Sequence, residues 1–357
     1  MFRNFDWGIT IAIIILAGFS LAIMQSVMPS LFLSQLIFYL VGFVIYFIFS
    51  HIDYQIYRPF WLLIYVLSCI LLLGIYILGI ESRGAVRWIE VAGFRLQLSE
   101  ILKPFILLSF ASFLAEHPPR KIKNLIYAGS LSVLPFLLVL KQPDLGSAMI
   151  YALAFSGMIF IAGVPIKQII FGICTFFVAS PLVWHFLRDY QKSRILSFLS
   201  PESDPRGASY NAIQATIAVG SGMLFGKGLG HGTQSQLLFL PEKHTDFVFA
   251  SFVEELGLFG AMILLSAYIL IIYRIFKIVA RSNDTFGNIY LIGVLSMLLG
   301  QVFINVGMNI GILPVTGITL PLVSYGGSSI IALMITLGIT QNIAKEHAFG
   351  VKSESYL

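Results

Sequence analysis

Apolar residues fall in blocks along this chain, and the polar residues collect between the blocks. Crossing roughly 30 Å of hydrocarbon takes about 20 helical residues. Ten stretches fit that length, at about 8–28, 31–50, 60–80, 99–115, 124–141, 146–162, 166–186, 250–276, 288–311 and 327–344. The second, "LFLSQLIFYLVGFVIYFIFS", carries no charge at all. Lipid-facing backbone must satisfy its own hydrogen bonds, and the blocks lack the short alternating strands of a barrel, so the spans are helices. The pattern predicts an all-α polytopic membrane protein of about ten transmembrane helices, forming a single integral membrane domain over residues 1–357. The fifth and sixth stretches meet at "KQPDLG", where fusion would lower the count. "MFRNFDW" leads into the first block without a small-residue cleavage site, which predicts a retained span.

Two regions break the block pattern. Residues 187–249 form the largest non-spanning segment, predicted to be a structured loop between the seventh and eighth spans; "SYNAIQATIAVGSGMLF" within it suits a short interfacial helix. Residues 311–329, "GILPVTGITLPLVSYGGSS", are nearly uncharged yet too rich in proline and glycine for one helix. Such backbone is tolerated at membrane depth where protein or a water-filled cavity shelters it, so a broken piece lining a cavity is expected. An ordinary surface loop is the alternative.

Composition agrees: 58% of residues are hydrophobic and 11% charged. The net charge of +5 is scattered without a basic stripe, which argues against nucleic acid as a partner. Its distribution instead gives sidedness. If both termini share a face, that face carries Arg58, Arg120, Lys121, Lys123, Arg274, Lys277 and Arg281, whereas the short opposite loops hold only Arg83, Arg87, Arg95 and Lys141. The bias places the termini in the cytoplasm and residues 187–249 outside. Cys69 and Cys174 lie in apolar blocks and read as buried small hydrophobes, neither a disulfide framework nor a zinc site, and the histidines form no HExxH or zinc spacing.

Candidate chemistry concentrates in "LPEKHTDF", residues 240–247. Pro241 would suit the first turn of the eighth helix and Glu242 the positive end of its dipole. Asp246 precedes "FVFASF", at the boundary of water and oil, where partial burial suits a general base. A helix-end carboxylate paired to Lys243, or a cation ligand, are the other roles open to it, with His244 beside it. A magnesium ion could be held by Asp246 or Glu242 with substrate phosphates. Glu100 and Lys103, three apart in "LQLSEILKPF", share a face, with Ser99 as expected N-cap; Pro104 has no N–H for the Glu100 carbonyl. Ionisable groups in a span face a cavity or a partner, so the pair is either functional or a structural ion pair. Glu254 and Glu255 lie two turns beyond Asp246, and at least one is expected to face the same cavity; Asp144 does likewise or only caps the sixth span. Arg83, Arg87, Arg194, Arg206, Lys227 and Lys243 are cations able to meet an anionic substrate.

Four passages resemble the SEDS family (shape, elongation, division and sporulation), closest to its elongation branch: "RGAVRWIEVAGFRLQLSEILKPF", "KQPDLGSA", "GKGLGHGTQSQLLFLPEKHTDFVFASFVEELGLFG" and "NVGMNIGILPVTGITLPLVSYGGSS". The resemblance implies a ten-span peptidoglycan glycosyltransferase of the plasma membrane that polymerises lipid II on its outer face, for elongation and cell shape. It makes Asp246 the essential aspartate and sets Glu100 and Lys103 in the central cavity. It implies a class B penicillin-binding protein as transpeptidase partner, together with other elongation-complex membrane proteins. Leu98 departs from the proline common before the Ser-Glu pair, and Leu238 from a polar residue common in that loop. A lipid II flippase and a non-enzymatic scaffold are the rival functions.

Overall fold

The computed structural model describes residues 5–82, 85–91, 94–186, 189–200, 209–237 and 239–353. Of the features above, Arg83, Arg206 and Leu238 lie outside that set. The helices, in chain order, are α1 Trp7–Val27, α2 Pro29–Phe49, α3 Trp61–Leu78, α4 Leu98–Ile101, α5 Lys103–Glu116, α6 Ile122–Lys141, α7 Leu145–Ile161, α8 Ile166–Phe186 and α9 Asp189–Leu199. There follow α10 Tyr210–Ser221, α11 Thr233–Gln236, α12 Val248–Arg281, α13 Thr285–Asn309 and α14 Gly327–Ser353, while a 3-10 turn, Tyr54–Phe60, leads into α3.

The molecule is an all-α polytopic membrane protein with one small exception. Strands β1 Ile80–Ser82, β2 Ala85–Val91 and β3 Phe94–Leu96 make an antiparallel sheet, with Glu81 opposite Val86 and Glu90 opposite Arg95. Nothing in the pattern of apolar blocks marks these strands, which run for only 3, 7 and 3 residues. Among the described residues, eight helical segments have the length and hydropathy to cross a membrane. The stretch at 146–162 forms α7, an apolar helix of 17 residues, and 166–186 forms α8, a helix of 21. The stretches around "KQPDLG" do not fuse: α6 ends at Lys141, and Asp144 caps α7 by accepting from the Ser147 N–H at 3.0 Å.

Burial sorts the bundle. In α5 and α14 most of the spanning stretch is enclosed by protein, whereas α2 and α6 turn most of theirs outward, as Leu33, Leu40 and Val44 show on α2. Cys69 is buried as expected, but the same expectation is corrected for Cys174, which is exposed on α8 because an apolar side chain of a membrane helix can face outward. α14 packs along α2, α13 along α7 and α5, and α1 along α12. Backbones meet at Gly338, where an added Cβ would stand 2.8 Å from the Tyr46 carbonyl oxygen, a small-residue contact of the kind that lets membrane helices approach.

α12 is broken at Gly257 (φ 67°, ψ −168°), a conformation in which side chains are strained. The opened turn is repaired from outside the helix. Lys227 and Gly228 donate backbone N–H bonds to the Glu254 and Glu255 carbonyls, both at 2.9 Å, while Leu258 and Phe259 donate to Met223 and Leu224 at 2.9 and 3.1 Å. Irregular backbone is thus satisfied by a glycine-rich loop docked on it, as a nonaqueous surrounding demands. Gly257→Ala is expected to clash with the Gly226 nitrogen, 2.3 Å from an added Cβ, and to melt markedly below the wild type in a detergent thermal-unfolding assay.

Residues 311–326 carry no helix, in keeping with the broken segment expected there. Buried polar side chains of the surrounding helices hold their carbonyls: Ser20 donates to Val323 at 2.8 Å, Tyr268 to Pro321 at 2.5 Å, Asn305 to Ile318 at 2.7 Å, and Tyr39 to Leu322.

Candidate active site

The sheet, the α6–α7 turn, α9, the turn before α12 and segment 315–329 surround one cavity of about 410 Å³. Arg87, Glu100, Lys103, Asp144, Arg194, Glu242 and Asp246 all line it, drawn from positions far apart in the chain. A cavity carrying so many charges inside an apolar bundle is made for a polar, charged ligand.

Asp246 sits in the turn ahead of α12, half-buried at the cavity wall. Its backbone carbonyl accepts from the Asn305 and Asn309 amides of α13, at 3.0 and 3.1 Å. Asn309 in turn accepts from the Ala250 N–H at 3.0 Å, tying α12 to α13 just beyond the aspartate. The first-turn reading of Pro241–Phe247 is corrected: these residues are turns, and α12 begins at Val248. Glu242 therefore does not meet a helix dipole; it has φ 53° and accepts from the Thr245 hydroxyl at 3.0 Å. The Thr245 and Phe247 N–H groups both turn back to the Glu242 carbonyl, and the distant Tyr325 N–H holds the turn by donating to the His244 carbonyl at 2.8 Å.

Across the cavity, Lys103 Nζ lies 2.5 Å from Glu100 Oε1, and Ser147 donates to the same oxygen at 3.2 Å. Both charged side chains are almost enclosed. The helix is interrupted between them at Leu102, where Pro104 withholds its N–H. Ser99 is not the N-cap: Gln97 holds that position, and Ser99 instead accepts from the Gln97 amide at 3.1 Å. Arg87 reaches Asp144 at 3.9 Å, and Gln97 donates to Asp144 at 2.7 Å, so Asp144 both caps α7 and faces the cavity.

Five other residues singled out from the sequence lie outside this lining: Lys227, Lys243, His244, Glu254 and Glu255. Glu254, fully buried, accepts from Lys227 Nζ at 3.0 Å, the Thr233 hydroxyl at 3.2 Å and the Gln234 and Ser235 N–H groups at 2.8 and 3.0 Å. Glu255 accepts from the Ser26 hydroxyl and from Gln236 at 3.2 Å. Lys243 donates to the Ser235 carbonyl at 2.6 Å; burial pushes its ammonium down from the ordinary lysine range, opposed by the charge of Glu255. His244 packs beside Tyr325, with ring centroids 5.9 Å apart. Glu254 and Glu255 thereby staple the 227–236 loop to α12. Glu254→Gln keeps the shape but turns one acceptor oxygen into a donor facing N–H groups, so it is expected to cost about 1–3 kcal/mol of stability, read by thermal unfolding.

Segment 315–319 lines the cavity, as expected of the broken piece, whereas Gln301 also lines it and was missed as a site residue. Gln301 carries no charge, and nothing in an apolar block distinguishes one buried amide. No group of three or more histidine, cysteine, aspartate or glutamate side chains able to hold a metal occurs among the described residues.

Fold and site together define a multi-pass membrane protein with a polar, charged chamber set in its bundle. A sequence profile of the FtsW, RodA and SpoVE family, described as "Cell cycle protein", matches residues 5–348, and the chain belongs to that family. The peptidoglycan glycosyltransferase MrdB of Escherichia coli K12 is 45% identical over 306 residues, covering 85% of this chain and 82% of that protein. A chain from a solved structure titled "Structural coordination of polymerization and crosslinking by a peptidoglycan synthase complex" superposes with TM-score 0.83 at 27% identity, over 96% of this chain and 98% of that one. The rod shape determining protein RodA of Thermus thermophilus superposes with TM-score 0.73 at 25% identity, over 96% and 97%. This protein is a peptidoglycan glycosyltransferase of the plasma membrane, which polymerises glycan strands.

Proposed function

We propose that the cavity is the transfer site and that Asp246 is its general base. The growing glycan, α-linked to a lipid diphosphate, is the donor; the C4 hydroxyl of the N-acetylglucosamine of an incoming lipid II is the nucleophile. Asp246 takes the hydroxyl proton as the new bond forms at the anomeric carbon, and the anomeric C–O bond breaks to release the lipid diphosphate, inverting the centre. A diphosphate leaves without a second carboxylic acid, but its charge needs neutralising. Arg87 and Arg194, both on the cavity wall, supply cationic groups for that purpose. A divalent cation such as Mg2+ would rest on Asp246 or Glu242 and on substrate phosphate oxygens, where it would offset the same charge. Glu100 and Lys103 keep the opposite wall charged but internally paired. The observation that carries the reading is a half-buried carboxylate and two guanidinium groups lining one chamber.

The same reading has ten spans, with α7 and α8 completing the eight, both termini cytoplasmic and the cavity opening outward. That arrangement follows from the charge bias of the short loops. A class B penicillin-binding protein, which crosslinks the strands, is the partner, with other elongation-complex membrane proteins around it. The test is strand synthesis from purified lipid II by the reconstituted protein, with and without that partner. Strands should appear on the outer face of oriented vesicles; accessibility of residue 246 only from the cytoplasmic side would refute the sidedness and the substrate's leaflet together.

A further inference from the structure

A second cavity, of about 340 Å³, opens beside the first, between α9, α10 and segment 310–315. Ala212, Ile213, Thr216 and Leu313 give it mainly apolar walls, and it shares Arg194 and Val315 with the main chamber. Arg194 stands at the junction, where its Nη1 donates to the Thr316 carbonyl at 2.8 Å, fixing the guanidinium in place. A Cβ added to Gly317 would lie 3.5 Å from Asp246 Oδ2 and 3.9 Å from Arg194 Nη1, so the carboxylate and the guanidinium flank the same glycine.

We propose that this side cavity receives the first isoprene units of the donor's lipid chain, and that Arg194 at its mouth binds the donor diphosphate. A donor of this class is a sugar, a diphosphate and a polyprenyl chain joined in that order. The site repeats the order: a polar chamber with Asp246, a forked cation suited to phosphate oxygens, and then an apolar recess. Seating the diphosphate on Arg194 sets the anomeric carbon on the Asp246 side and makes this lipid chain, not the acceptor's, the occupant of the recess. The size of the recess falls within the range of small-ligand pockets.

The inference rests on the transfer-site reading above, so its test reads binding and not synthesis. The full-length protein in nanodiscs is titrated with inorganic diphosphate and with farnesyl diphosphate. Wild type should bind farnesyl diphosphate at least tenfold more tightly. Thr216→Trp, at an exposed position on α10, should remove that preference while leaving inorganic diphosphate binding intact, which also reports that the variant is folded; Ala212→Trp should act alike. Arg194→Gln should weaken both ligands about tenfold. Undiminished farnesyl preference in both tryptophan variants, or unchanged diphosphate affinity in Arg194→Gln, would overturn the proposal. Normal strand synthesis by an Asp246→Asn protein would instead sink the base assignment and leave these binding results standing.

Discussion

Asp246→Asn is expected to abolish strand synthesis from lipid II, lowering the rate by roughly 10²- to 10⁴-fold, the usual worth of a positioned general base. The substitution is nearly isosteric. The Asn305 and Asn309 amides bind the backbone carbonyl of residue 246 and are indifferent to its side chain, so the turn before α12 should stand. Unfolding temperature and partner binding should therefore match the wild type. A variant that polymerises at the normal rate would remove Asp246 from the chemistry, and one that fails to fold would show that the side chain braces the turn. The Glu variant separates position from charge: its extra methylene moves the carboxylate, so partial activity is expected.

The second large effect concerns stability. Lys103→Met should cost about 3–5 kcal/mol, because it strands the Glu100 carboxylate in a nearly enclosed site with the Ser147 hydroxyl as remaining support. Glu100→Gln with Lys103→Met removes both charges and should recover much of that loss, since a buried pair replaced together is close to neutral. Thermal unfolding of the two single variants and the double variant measures the coupling. Equal melting of the double variant and Lys103→Met would mean that the pair is not coupled. Strand synthesis by a folded double variant then tells whether the cavity needs these charges for the reaction itself.

Much of this architecture was readable because hydrocarbon thickness imposes one length on every span. The long apolar blocks became helices, and the interruptions at "KQPDLG", at Pro104 and over 311–326 appear as breaks in the chain's regularity. What escaped prediction was decided by contacts between distant segments. The strands at 80–96 pair over only a few residues, and the turn at 241–247 exists because Tyr325 and Ser324 bind its carbonyls from 80 positions downstream, at 2.8 and 2.7 Å. Charge alone could not sort the acidic residues either. Glu254 and Glu255 lie on α12, about two turns beyond Asp246, yet the loop at 226–236 folds over them and occupies both carboxylates. Whether a carboxylate meets a ligand or a loop depends on where that loop docks, and no local spacing records it.

The enclosure of α14 bears on how the protein is made. Of the eight spanning segments it is the most surrounded by protein, and it leaves the ribosome last. The helices that precede it in the chain must wait in the bilayer with a slot unfilled, and Gly327 to Ser329, which form part of the chamber wall, arrive only with its insertion. Until that helix docks, the polar chamber lacks part of its wall.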